Sequence, residues 1–218
     1  MRALVIETST PHASIALVDG DIISQRGFQS DRGHNAMLFR PLEELLSKVN
    51  ALDLVLVGSG PGSYSGTRVG IAAAQGVAIA MDCPAVAVPS ILAVPAADHG
   101  APCLAIGDAR RGSFWTAAID GLAITREPGL CDAAGLLERL SASAENTAVF
   151  SFEDPARFPM PPEIKARVSM QFPDATRLWR AWLATGEATR HAWSAEIPQP
   201  LYLKPPHITK AKPKIPAS

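Results

Sequence analysis

The sequence predicts an α/β protein built in two lobes, and three features of its hydrophobic pattern predict it. Short alternating segments open the chain as antiparallel strands, a strand–helix–strand unit comes next, and the strand pattern restarts near residue 100. With 218 residues and 47% hydrophobic content the chain can bury a substantial core, which excludes disorder as a whole.

The opening reads as strands over residues 3–7, 14–18 and 22–28, with Asp19-Gly20 as the hairpin turn between the second and third. Next, HNAMLFRPLEELLSKV places Leu38, Phe39, Leu42, Leu45, Leu46 and Val49 within about a third of a helical circumference, so a helix over 34–49 with one buried stripe is expected. Pro41 cannot donate to the carbonyl of Met37, which predicts a kink or a late helix start. An apolar strand over 54–57, the loop GSGPGSYSG, a helix over 67–81 and a strand over 85–88 imply a parallel crossover. The second lobe offers strands at 103–106, 113–119, 122–125 and 148–150, and helices at 133–140 and 175–184. The domain reading is therefore an N-terminal lobe over 1–100, a C-terminal lobe over 101–204 and a flexible basic tail over 205–218.

Twenty basic against twenty-one acidic residues give a net charge of -1, so no global field draws the molecule to nucleic acid or an anionic membrane. Contact with RNA must be local or indirect; Lys204, Lys210, Lys212 and Lys214 are its candidates, against the simpler reading of a solvated tail. Cys83, Cys103 and Cys131 are widely spaced and form no Cys-x-x-Cys pair, as expected of reduced thiols. The opening MRALVIETST carries Glu7 in too short an apolar run for a secretory signal, and no stretch reaches spanning length. Cytoplasmic location without membrane contact is the expectation.

Gly58, Gly60, Gly62 and Gly66 lie between a strand and a helix, where backbone N–H groups can converge on an anion. The segment lacks the Gly-Lys-Ser/Thr ending of a P-loop, and Ser65 stands where a dinucleotide fingerprint needs its third glycine. A tight turn needing positive φ angles is an equal alternative. In the helix after this loop only Gln75 is polar between Arg68 and Asp82, so all of its faces need cover, from the second lobe or from another protein.

Metal and hydrolase chemistry find no pattern. His12, His34, His99, His191 and His207 form no His-x-x-x-His pair, and GSYSG lacks the spacing of a nucleophile elbow. Asp108-Ala109-Arg110-Arg111-Gly112 reads as a salt-bridged hairpin turn.

IETST near the start, GSGPGSYSGTRVGIAAAQGVA in the middle, DARRG later and PLYLK towards the end together resemble the TsaB (YeaZ) family, in the same order and at family-like separations. The resemblance is strong over roughly the first 115 residues. It implies two ribonuclease H-like lobes of the actin, Hsp70 and sugar-kinase type. The implied role is a non-catalytic subunit that dimerises with the catalytic transferase TsaD and, with the ATPase TsaE, supports threonylcarbamoylation of the adenosine beside the anticodon. tRNA would be engaged indirectly, and a homodimer is expected when the partner is missing.

Two departures bear on catalysis. Glu7-Thr8-Ser9-Thr10 has Glu where the family usually has Asp and lacks the glycines of a working phosphate loop; Thr8, Ser9, Thr10, Gly60, Gly62 and Gly66 thus read as vestigial phosphate loops. The catalytic relative carries a His-x-x-x-His metal pair where this chain reads PSILAV, with Ser90 and Val94 in those places. The expectation is no metal and no cofactor beyond weak or vestigial nucleotide binding. By the same resemblance the partner interface is expected at Leu38, Leu42, Leu45, Gly70, Ala73, Ala74 and Val77. The rival readings are an independent actin-like ATPase or kinase and a peptidase-like relative.

Overall fold

The computed structural model describes residues 1–29 and 34–203; the sequence readings on Lys204 and the basic tail lie outside the described residues. Two five-stranded mixed sheets carry the fold. The first contains β1 (Arg2–Glu7), β2 (His12–Asp19), β3 (Ile22–Gln29), β4 (Leu54–Gly58) and β5 (Ala85–Val88), in the order β3-β2-β1-β4-β5. β1, β2 and β3 form an antiparallel meander, and β4 and β5 add in parallel. The second sheet repeats this plan with β6 (Cys103–Asp108), β7 (Phe114–Asp120), β8 (Ala123–Cys131), β9 (Ala148–Ser151) and β10 (Val168–Met170), in the order β10-β9-β6-β7-β8. The restart of pattern near residue 100 is therefore a repeat of topology.

The parallel additions require crossovers, and helices supply them. α1 (His34–Leu46) and α2 (Tyr64–Met81) flank β4; α3 (Ala133–Ala142) leads into β9, while the short α4 (Pro162–Lys165) precedes β10. α1 continues through Pro41 and ends three residues before the expected stop. α2 starts earlier than its apolar pattern suggests, because the Ser63 hydroxyl accepts from Gly66 N and caps it. β10, α4 and a last helix, α6 (Glu187–Ser194), carry too few periodic residues to be read from sequence.

Strand periodicity divides the first lobe into two cores. Leu4 and Ile6 of β1 and Val55 and Val57 of β4 face α1 and α2, whereas Ala3, Val5, Leu54 and Leu56 face the opposite way. That opposite face is covered by α5 (Ala175–Ala184), through Leu178, Trp179 and Trp182. The range 101–204, assigned from sequence to the second lobe, thus contains a helix that packs on the first sheet. The physical reason is that a sheet with two apolar faces needs two covering layers, and α1 and α2 supply one. Ala181 of α5 reaches the core of the second sheet, so this helix joins the lobes.

Candidate functional site

The β1–β2 loop and the β4–α2 loop meet at one end of the first sheet, where the resemblance places phosphate loops. Glu7, Thr8, Ser9 and Thr10 are buried. Ser63 N donates to Ser9 O at 2.6 Å, and the Thr8 hydroxyl donates to Gly66 O at 2.8 Å. The glycines make this approach possible. A Cβ at Gly62 would lie 2.1 Å from Ser9 O, and one at Gly66 2.2 Å from Thr8 O. In GSGPGSYSG positive φ occurs at Gly60 alone, at +90°, so close packing explains more of the glycines than left-handed turns do.

The N–H groups that would cradle an anion already have partners. Ser9 N donates to Glu7 Oε1 at 2.7 Å, Gly60 N to the Ser90 hydroxyl at 3.0 Å, and Gly66 N to the Ser63 hydroxyl at 3.2 Å. A buried carboxyl stands beside them. Burial pushes Glu7 above the ordinary carboxylate range, opposed by the Ser9 and Ser90 groups that favour its ionised form, with Asp174 adding to the rise. Glu7 Oε2 and the Ser9 hydroxyl have no hydrogen-bond partner among the described residues. The arrangement closes this end of the sheet on itself.

At the two places where the resemblance implies metal-binding histidines in the catalytic relative, this chain has interior side chains. Ser90 is buried and tied to Gly60 through both its hydroxyl and its N–H, and Val94 is fully buried in the second lobe's core. The DARRG turn between β6 and β7 is a salt-bridged hairpin: Arg110 N donates to Asp108 Oδ1 at 2.7 Å, and the two side chains pair at 3.4 Å. Arg110 and Arg111 both hold positive φ there.

Of the seven residues expected at the interface, four lie in the interior and three line a surface groove. Leu38, Leu45 and Ala74 have no exposure and Gly70 is buried, so these four belong to the core between helices and sheet. The helical stripe that sequence periodicity finds is the one facing the sheet, because that face has the larger apolar area to cover. Leu42, Ala73 and Val77 reach the bottom of a surface groove of about 450 Å³ between α1 and α2, whose walls include Phe39, Val69, Ala72, Gly76, Ala80 and Met81. Phe39, read as part of the buried stripe, is 57% exposed, and Ile79 is 83% exposed. A second helical face made of small and apolar residues is the signal that finds this groove in the sequence.

One end of α2 is held by the PLYLK segment. The Arg68 guanidinium lies over the Tyr64 ring, 3.2 Å from its centroid, and donates to the Tyr202 hydroxyl at 2.9 Å. Leu201 N donates to Ser59 O, and Gln75 Nε2 donates to Pro198 O. Sequence reading used PLYLK as a motif and missed this contact, because it joins positions 134 residues apart.

Two sheets of identical order, with crossovers on the parallel strands, define an α/β protein of the two-lobed actin, Hsp70 and sugar-kinase type. A family model for TsaD, tRNA N6-adenosine threonylcarbamoyltransferase, matches residues 29–141, just over half of the chain. The tRNA threonylcarbamoyladenosine biosynthesis protein TsaB of Escherichia coli is 29% identical over 124 residues, 53% of this chain and 54% of that protein. TsaB of Bacillus subtilis is 32% identical over 123 residues, with the same two shares. The matched part thus spans about half the length of these curated relatives. The solved structure of YeaZ from Pseudomonas aeruginosa superposes with a TM-score of 0.73 at 22% identity, covering 93% of this chain and 99% of that one. The chain belongs to the TsaB (YeaZ) family, within the group that the TsaD model describes.

Proposed function

We propose that this chain is a non-catalytic subunit of tRNA threonylcarbamoyladenosine biosynthesis, acting in the cytoplasm by docking on the catalytic subunit TsaD, with TsaE as a further member and tRNA engaged through the assembly. The observation that carries this reading is the apolar groove between α1 and α2, with exposed Phe39 in its wall. Water is displaced at a gain when such a surface is covered, and the small side chains of Ala72, Gly76 and Ala80 let a partner helix come close. The curated relatives of Escherichia coli and Bacillus subtilis are named for this pathway.

The lack of chemistry of its own rests on the occupied N–H groups, the buried carboxyl of Glu7 and the interior positions of Ser90 and Val94. A phosphate entering the loop would have to displace four internal hydrogen bonds and approach a buried acid. Catalysis is thereby left to the partner, and nucleotide binding here is at most weak.

The test is reconstitution of tRNA modification from purified TsaD, TsaE and this chain. Modification is expected to need this chain and to be lost with Ala72→Glu, which puts an unpaired charge in the groove while leaving the core intact. Normal modification without the chain, or appreciable magnesium-dependent ATP hydrolysis by the chain alone, would reject the proposal.

A further inference from the structure

A second cavity lies apart from the α1–α2 groove and shares no described lining residue with it. It has a volume of about 990 Å³ and sits where the end of β5, the β7–β8 hairpin, α6 and the segment after it converge. Its size is at the upper end of the range for ligand sites, about 300–1,000 Å³. The lining divides by chemistry. Ala87, Leu122 and Trp193 supply apolar surface, Asp120, Glu127 and Glu196 supply carboxylates, and no Lys, Arg or His lines it among the described residues.

None of these three carboxylates has an ion-pair partner among the described residues, although Arg126 and Arg190 are close in sequence. Ser59 also lines the cavity. It is 7% exposed, and its hydroxyl makes no hydrogen bond among the described residues, while its carbonyl accepts from Leu201 N. That hydroxyl opens on the cavity and is free to pair with an incoming polar group. The Trp193 ring is stacked on Trp182, with centroids 6.4 Å apart, so the wall it forms is held in place.

We propose that this cavity binds a peptide segment of a partner protein in which lysine or arginine alternates with apolar residues. The apolar side chains pack on Leu122 and Trp193, the cations meet Asp120, Glu127 and Glu196, and a backbone group of the peptide pairs with the Ser59 hydroxyl. Like charge excludes acidic segments, so the site selects by sign as well as by shape.

The experiment measures fluorescence anisotropy of two labelled hexapeptides with the full chain, one alternating lysine with leucine and one alternating glutamate with leucine. The lysine peptide is expected to bind, more weakly as salt rises, and the glutamate peptide to stay free. The exposed double substitution Glu127→Lys/Glu196→Lys is expected to weaken binding by about tenfold or more, with circular dichroism unchanged. Ala72→Glu, in the distant groove, is expected to leave peptide affinity as it is, which separates this site from the docking face. Equal binding of the two peptides, or undiminished affinity in the double variant, overturns the proposal. Binding that appears only after Lys204, Lys210, Lys212 and Lys214 are changed to Glu in the full chain overturns it too, assigning the cavity to the chain's own basic segment.

Discussion

The two lobes share one strand order and differ in the connection that leaves the parallel strand beside the first. In the N-terminal lobe β4 leads through a glycine-rich loop into the 18-residue α2, whereas in the C-terminal lobe β9 leads through a proline-rich stretch into the four-residue α4. The acids at the ends of the equivalent strands differ as well. Glu7 after β1 is buried with one oxygen unpartnered, while Asp108 after β6 pairs with Arg110 at the surface of its own turn. One plan thus gives a lobe whose loops clasp each other and whose long helix shows a second apolar face, and a lobe that ends in an open polar turn. The difference lies in side-chain size: only glycine at positions 62 and 66 lets the β4–α2 loop reach the β1–β2 loop.

The sharpest way to break this contrast is to load the clasp. Gly66→Ala drives a methyl group into Thr8 O and is expected to cost about 3 kcal/mol, near the upper end for overpacking and read from urea unfolding. Gly76→Ala lies in the same helix, but its added carbon meets nothing within 4 Å. It is expected to stabilise by about 0.5–1 kcal/mol. If both changes behaved alike, the close approach of the two loops would be disproved.

The inner and outer faces of α2 sharpen the contrast within a single helix. Ala74→Glu buries an unpaired charge where exposure is zero and is expected to leave little folded protein. Ala72→Glu and Phe39→Glu are expected to change unfolding free energy by no more than about 1 kcal/mol while abolishing co-purification with TsaD. Retained co-purification from both would move the docking face elsewhere.

Glu7 makes a smaller, pH-dependent difference. Its folded-state pKa is raised, so no penalty exists below the unfolded value of about 4.3, and stability falls as pH rises from there through the folded pKa. Glu7→Gln removes that loss. The variant is expected to match the parent near pH 4 and to melt higher at pH 7.5, and a parent that melts higher at pH 7.5 would contradict a raised pKa. The smallest effect is expected from Arg68→Ala, about 1 kcal/mol for a half-buried cation between two tyrosine rings, seen as faster proteolysis near Tyr202.

Much of the architecture is legible in the chain because strands and helices bury surface at fixed periods. β1, β2, β4 and β5 and the whole of α5 emerge from alternation and apolar stripes, and the repeat of pattern near residue 100 marks the second sheet. The site was harder to read. Gly58, Gly60, Gly62 and Gly66 announce that the backbone must come close to something, yet the same composition serves a phosphate or another strand's loop, and only the contact with Ser9 and Thr8 distinguishes them.

The stripe on α1 and α2 likewise points to a covered face without naming the cover. Periodicity is a local property, so it identified Leu38 and Leu45 as buried positions and the chain as a two-lobed α/β protein, while the family was read from motifs. What covers each face, which lobe α5 joins and which N–H groups are already bonded depend on residues far apart in the chain. Those partners become neighbours only after the whole molecule has closed, and so only the tertiary structure decided them.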